Sequence, residues 1–159
     1  MGLAKDSLLE MEEDTGQGRY LVFVVENEAL GVEIEHVKEI ISIQPITQVP
    51  GTPAHVRGII NLRGQIIPVI DMRLRFSKTP QSYTERTCII VAEAGRHLAG
   101  LIVDKVTEVL PIKAEDISRP LLHTHSSEDC VKGISKADGQ IKLLIDAEKL
   151  LSKELLPEK

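Results

Sequence analysis

The apolar positions along this chain change period several times, and each change marks an element. Tyr20 to Val25 is a β-branched run, Glu26-Asn27-Glu28 is polar, and alternation resumes from Ala29 to Ile34. Two such runs around a short polar turn predict a β-hairpin. Glu35 to Ile40 leaves the alternating pattern and predicts one short helical turn. Ile41 to Val49 reads as extended, with Pro45 suggesting an edge, because proline cannot donate to a ladder. Pro50 to Pro53 is a loop. Val56 to Leu62 and Gln65 to Ile70 predict a second hairpin that turns at Arg63-Gly64. Asp71 then stands where its carboxylate can cap a short helix.

The pattern occurs twice. Val56 to Lys78 reads VRGIINLRGQIIPVIDMRLRFSK, and Val131 to Lys153 reads VKGISKADGQIKLLIDAEKLLSK. At this constant offset of 75, 10 of 23 positions are identical, among them Gly58 and Gly133, Gly64 and Gly139, Asp71 and Asp146. A second block, Gly31 to Ile40, aligns with Gly100 to Val109 at an offset of 69 and keeps its apolar positions. The blocks recur in the same order, so the chain is two copies of a unit of about 65 residues. The helix after Asp146 is predicted to run to Leu156, with Leu151 and Leu155 four residues apart.

Short strands, glycine turns and one short helix per unit predict an all-β fold of small closed barrels. Barrels this narrow are filled by their own side chains, which leaves surfaces and the groove between them for function. The expected organisation is an N-terminal segment 1–18, flexible or a short helix capped at Ser7, then one domain over 19–156. Its first barrel lies mainly in 19–80 and its second mainly in 84–146, with strand exchange between them left open. A C-terminal helix covers 146–156.

Composition narrows the class. Of 159 residues, 31 are Ile or Val and four are aromatic, which favours strands and removes the stacking platforms of single-stranded nucleic-acid binders. A net charge of −5 argues against a general phosphate binder. Cys88 and Cys130 do not make a disulfide framework and read as small buried hydrophobes. No apolar run reaches a membrane span, and Met1 to Glu13 lacks a signal-peptide pattern, so a cytoplasmic protein is expected.

Catalytic and metal signatures are weak. Asp14-Thr15-Gly16 matches the core of acid proteases but sits in a polar stretch without the apolar support that shared-proton chemistry needs, and reads as linker. His123, His125, Asp129 and Cys130 contain metal-ligating types in a loop-like segment without a ligand-spacing motif. There is no phosphate-binding loop and no serine elbow. No enzyme, no metal and no cofactor is expected. The positive signal is charge. Arg57, Arg63, Arg73 and Arg75 fall within nineteen residues that hold one acid, Asp71, and the second copy loses this pattern. Glu39 and Glu108 are acids kept in both copies among apolar neighbours, and such a carboxylate calls for an arginine partner.

Asn61-Leu-Arg-Gly64 with Pro68-Val-Ile-Asp-Met-Arg73, Val37-Lys-Glu-Ile40 upstream and Gly100 to Val109 downstream resemble the bacterial chemotaxis coupling proteins, the CheW-like adaptors. The resemblance covers about 19–156. It implies two SH3-like five-stranded barrels packed over a shared core, and a non-catalytic adaptor coupling transmembrane chemoreceptors to a histidine autokinase. The implied partners are the regulatory domain of that kinase and the cytoplasmic helical tip of the receptor, bound in the groove between barrels. No nucleic acid is implied, and membrane contact would run only through receptors, whose arrays recruit the protein. Carried onto this sequence, the partner-binding residues are Val37, Glu39, Ile40, Arg57, Gly58, Arg63, Gly64 and Val106, with Glu39 and Arg63 expected to form an ion pair. Met72 stands where the family often has Leu, a conservative exchange. The alternatives are a scaffold of the same kind in another receptor–kinase pathway, such as twitching motility, and a small-barrel hydrolase.

Overall fold

A computed structural model describes residues 3–4, 18–119, 130–136 and 139–155. The strands are β1 (Leu3–Ala4), β2 (Arg19–Val25), β3 (Glu28–Glu33), β4 (Val37–Ser42), β5 (Val56–Leu62), β6 (Gln65–Asp71), β7 (Cys88–Ala94), β8 (His97–Val103), β9 (Lys105–Pro111), β10 (Ile117–Ser118), β11 (Val131–Ser135) and β12 (Lys142–Ile145). Two short helices follow aspartates, α1 (Met72–Arg75) after Asp71 and α2 (Ala147–Leu155) after Asp146. Both aspartates cap as their position predicts. Asp71 accepts from the Arg73 amide at 2.9 Å, and Asp146 from the Lys149 amide at 3.0 Å. The hairpin turns lie where the sequence places them. Glu26 and Asn27 join β2 to β3 with φ of 47° and 67°, and Arg63 and Gly64 join β5 to β6 with φ of 53° and 88°. Paired positive φ matches the right-handed twist of the flanking strands.

One local expectation is corrected. The helical turn foreseen over Glu35 to Ile40 is confined to a 3-10 turn at Ile34–His36, and Val37 to Ser42 is strand β4. The irregular period comes from a bulge between Val37 and Glu39, which leaves Lys38 unpaired and outward. An extra residue in a strand resets which face follows, and in sequence that imitates a change to helix.

The strands form two sheets, ordered β1-β4-β7-β8-β6-β5 and β10-β11-β12-β3-β2-β9. Each has five longer strands and a two-residue edge strand, so the fold is all-β with the strand count of a pair of SH3-like barrels. The sheets do not follow the 19–80 and 84–146 halves. The β2–β3 hairpin comes from the first copy but lies in the second copy's sheet, with β3 parallel to β12 and β2 antiparallel to β9. The β7–β8 hairpin makes the reciprocal move, with β8 parallel to β6 and β7 antiparallel to β4. The registers are equivalent: Gly31 faces Leu144 and Gly100 faces Val69, which are the same positions one repeat apart.

This exchange decides where the core sits. The largest apolar cluster lies between the sheets and mixes them, with Leu21, Phe23, Leu30 and Ile145 from one against Val37, Ile70, Ile90 and Leu101 from the other. α2 closes it with Leu150 and Leu151. The first sheet has its own interior around Ile60, Ile67, Val69 and Ile89. Among the described residues the second encloses Tyr20, Ile112 and Leu144 as buried members. No described helix is long and apolar enough to cross a membrane. Phe23 is fully buried in the cluster between the sheets. Phe23→Ala is therefore expected to cost about 3–5 kcal/mol and to lower the stability of both sheets in one transition. Chemical denaturation followed by circular dichroism and by amide exchange in each sheet checks this. Separate transitions would contradict it.

Candidate docking surface

The β5–β6 hairpin end lies across from β4, and there the expected ion pair forms. Arg63 Nη2 donates to both carboxylate oxygens of Glu39 at 2.6 Å. The Arg63 side chain is 65 % exposed and that of Glu39 20 %. Such a pair contributes about 1 kcal/mol or less to stability, so its effect lies in fixing the shape of this edge. The turn is braced by Asn61, whose Oδ1 accepts the Gly64 amide at 2.8 Å.

The candidate residues divide by exposure. Glu39, Arg57, Arg63 and Gly64 reach the surface of the first sheet. Val37 and Ile40 do not. They are 1 % and 6 % exposed and belong to the core between the sheets, so neither has area to offer a partner, and both act from beneath by holding β4 in place. Gly58 is also buried, at the second bulge, with φ of 148°. A Cβ there would stand 2.1 Å from the Thr47 carbonyl oxygen, so its role is to let the 47–59 bridge close. Val106 lies on β9 in the other sheet, half-buried on the shared core with Val109 and Cys88. All three are partly buried and pack against the core at the join of the sheets. The join also holds a 260 Å³ cavity whose lining is largely polar, including Asn27, Tyr83 and Asp104.

The arginine cluster is not one surface. Arg63 serves the hairpin end, Arg57 lines a separate 430 Å³ cavity with Val49 and Pro53, and Arg75 is buried with its guanidinium 5.8 Å from the Phe76 ring. Arg73 fastens the two sheets. Its Nε and Nη2 donate to Asp104 at 2.9 and 2.6 Å, and Nη1 donates to the Thr79 carbonyl at 2.8 Å. Asp104 is the single residue between β8 and β9, where the chain crosses from one sheet to the other. It also accepts the Glu26 amide at 3.0 Å. Burial pushes the Asp104 carboxyl up, but these hydrogen bonds outweigh it and hold it below its ordinary value.

Sequence reasoning missed two surface residues. Ile66 is 56 % exposed and Ile141 62 % exposed, and they are equivalent positions one repeat apart. The signal was available at Ile66-Ile67. In a strand of period two, adjacent isoleucines cannot both face inward, and Ile67 takes the core. Of the other chemistry considered, Asp14, His123, His125 and Asp129 lie outside the described residues. Cys130 is buried, and burial pushes the Cys88 thiol up to about 11, away from nucleophilic use. Glu33, Glu35 and His36 gather near one another, but Lys132 already supplies a cation to Glu33 at 3.0 Å.

The CheW-like domain family matches residues 19–155 of this chain. A chemotaxis protein CheW of Klebsiella aerogenes is 37 % identical over 154 residues, covering 96 % of this chain and 92 % of that protein. A chemotaxis protein CheW of Bacillus subtilis is 32 % identical over 141 residues, covering 88 % and 90 %. The crystal structure of the scaffolding protein TtCheW from Thermoanaerobacter tengcongensis aligns with a TM-score of 0.76 and 39 % identity, over 80 % of this chain and 88 % of that one.

Two outcomes follow from the ion pairs. A double-mutant cycle of Arg63→Ala and Glu39→Ala is expected to give a coupling of about 1 kcal/mol or less by urea denaturation. A larger value would make the pair structural. The lowered Asp104 carboxyl contributes stability that is present above about pH 4 and lost as pH falls through its folded value. Asp104→Asn should therefore flatten the fall in melting temperature below about pH 4. An unchanged acid limb would contradict the assignment.

Proposed function

The chain belongs to the CheW-like domain family, and on that premise we propose that it is a non-catalytic adaptor that couples transmembrane chemoreceptors to a histidine autokinase. The observation that carries this reading is the end of the β5–β6 hairpin. Arg63 is held by Glu39 through two hydrogen bonds of 2.6 Å, in the turn of the hairpin whose returning strand carries the exposed Ile66. An apolar anchor beside an ordered charge is what a docking surface needs, because a few such residues carry most of the affinity at an interface.

In this reading the regulatory domain of the kinase docks on the hairpin end through Glu39, Arg63, Gly64 and Ile66, and reaches Arg57 at the other end of β5. Val37, Ile40 and Gly58 set the backbone under it. The helical tip of the receptor lays apolar residues at i, i+3 and i+4 against Cys88, Val106 and Val109. The protein works in the cytoplasm and meets the membrane only through receptor arrays. Its contribution is geometry. Holding both partners on one rigid body lets a small receptor shift bias the kinase between states, a coupling of order 1–3 kcal/mol.

Co-purification with the kinase regulatory domain and with a receptor-tip fragment tests the reading. Both are expected to be retained at micromolar concentration, and loss of both would overturn the adaptor assignment. Arg63→Glu and Ile66→Glu are each expected to weaken capture of the kinase domain about tenfold with cooperative melting intact. Loss of cooperative melting in Arg63→Glu would instead make Arg63 part of the fold.

A further inference from the structure

Neither docking surface of the adaptor reading uses the 260 Å³ cavity at the join. Three segments line it: the β2–β3 turn through Asn27, the crossover through Asp104 and Lys105, and the connection from α1 to β7 through Ser82, Tyr83 and Arg86. Successive residues of a strand face opposite ways, so Lys105 turns into the cavity while Val106 turns onto the shared core.

The bonds that fix this wall occupy its acids. Arg73 donates to both oxygens of Asp104, which also accepts the Glu26 amide. Asp71 accepts the Arg73 amide and, at 3.2 Å, the Tyr83 hydroxyl. The connection after α1 is tied down as well. Arg73 holds the Thr79 carbonyl, the Thr84 amide donates to the Thr87 hydroxyl at 2.9 Å, and the Arg86 amide donates to the Thr84 hydroxyl at 3.1 Å. The groups left over are donors. Among the described residues Arg86 and Lys105 have no carboxylate within ion-pair distance, and the side chains of Asn27 and Ser82 have no hydrogen-bond partner. Lys105 is half-buried, where an ammonium without a counter-charge is costly.

The other crossover does not carry these groups. Asp104 and Lys105 have Glu35 and His36 as counterparts, and Arg73 has Glu148. The charge pattern therefore comes from the residues of this one join and not from the duplicated frame.

We propose that this cavity binds the phosphoryl group of a small metabolite. Two cations, an amide and a hydroxyl arrive from three separate segments, which suits a tetrahedral group with three acceptor oxygens better than a planar carboxylate. The volume lies below the roughly 300 Å³ at which pockets for drug-sized ligands begin, so it admits a small phosphate ester and not a nucleotide. The lining comes from both sheets, so a bound ester bridges them and stabilises the native state against unfolding.

The test is calorimetric titration of the full chain at roughly physiological salt with glycerol 3-phosphate, inorganic phosphate, glycerol and succinate. Glycerol 3-phosphate is expected to bind with a dissociation constant below about 1 mM and to raise the melting temperature. Inorganic phosphate should bind more weakly, succinate at least about tenfold more weakly, and glycerol not at all. Arg86→Gln combined with Lys105→Gln should cost about tenfold, with melting in the absence of phosphate unchanged, whereas Arg96→Gln at the β7–β8 turn should keep full affinity. On the unaltered protein, amide shifts induced by the ester should centre on Asn27, Ser82, Arg86 and Lys105. Equal binding of succinate, tighter binding of inorganic phosphate, indifference to the double substitution, or shifts centred elsewhere would each overturn the proposal. Arg86 and Lys105 take no part in capture of the kinase domain, so failure here leaves the adaptor reading standing.

Discussion

The reciprocal exchange of two hairpins is the constraint on which everything else rests. β2–β3 completes the sheet of the second copy and β7–β8 that of the first, each through one parallel and one antiparallel ladder. Neither sheet is built from the strands of one copy alone. The crossing also needs room. A Cβ at Gly100 would stand 2.6 Å from Ile89 Cγ2 and 2.9 Å from Val69 Cγ1, so the parallel pairing of β6 and β8 depends on the missing side chain. With the hairpins exchanged, the apolar faces of both sheets meet in one cluster, and the second sheet survives with a small interior of its own.

The two copies kept what the backbone needs and let the surface drift. The bulge before Gly58 recurs before Gly133, and the caps at Asp71 and Asp146 recur. The caps satisfy helix amides that have no other partner and the bulges set the bend of each strand, and loss of either costs more than a surface change does. The charges follow no such rule. Arg73, which ties α1 to the crossover at Asp104, has Glu148 as its counterpart, while Leu74 has Lys149. In the second copy both positions are exposed and tolerate either sign, whereas Arg73 is held at the join, so duplication of a rigid frame left the two copies free to diverge at the surface.

For an adaptor this division is sufficient. Docking needs a surface that does not move and a few groups held in position, and a shared core with a fastened crossover supplies the first. The Arg63–Glu39 pair supplies the second at negligible cost to the fold. Its energy is small because water screens it, yet two hydrogen bonds at 2.6 Å restrict a long side chain that would otherwise sample many rotamers.

Much of this was legible in the residues. Alternation located the hairpins, paired turn residues located their bends, two aspartates located the helix caps, and the repeat gave two equivalent sheets. The Glu39–Arg63 contact followed from a carboxylate set among apolar neighbours. These are local matters of period and short-range hydrogen bonding, which a linear sequence records. It does not record which surface a residue finally meets. Val37 and Ile40 lie on the docking strand in sequence and in the core in space, because a bulge at Lys38 resets the alternation. Four arginines close in sequence part to four different neighbourhoods, because Arg57 and Arg63 lie at opposite ends of β5 and Arg73 and Arg75 leave the same short helix toward Asp104 and Phe76. Above all, which copy a hairpin joins depends on pairing across the whole chain, where both choices offer the same hydrogen bonds and differ only in the apolar area the assembled sheets can bury against each other.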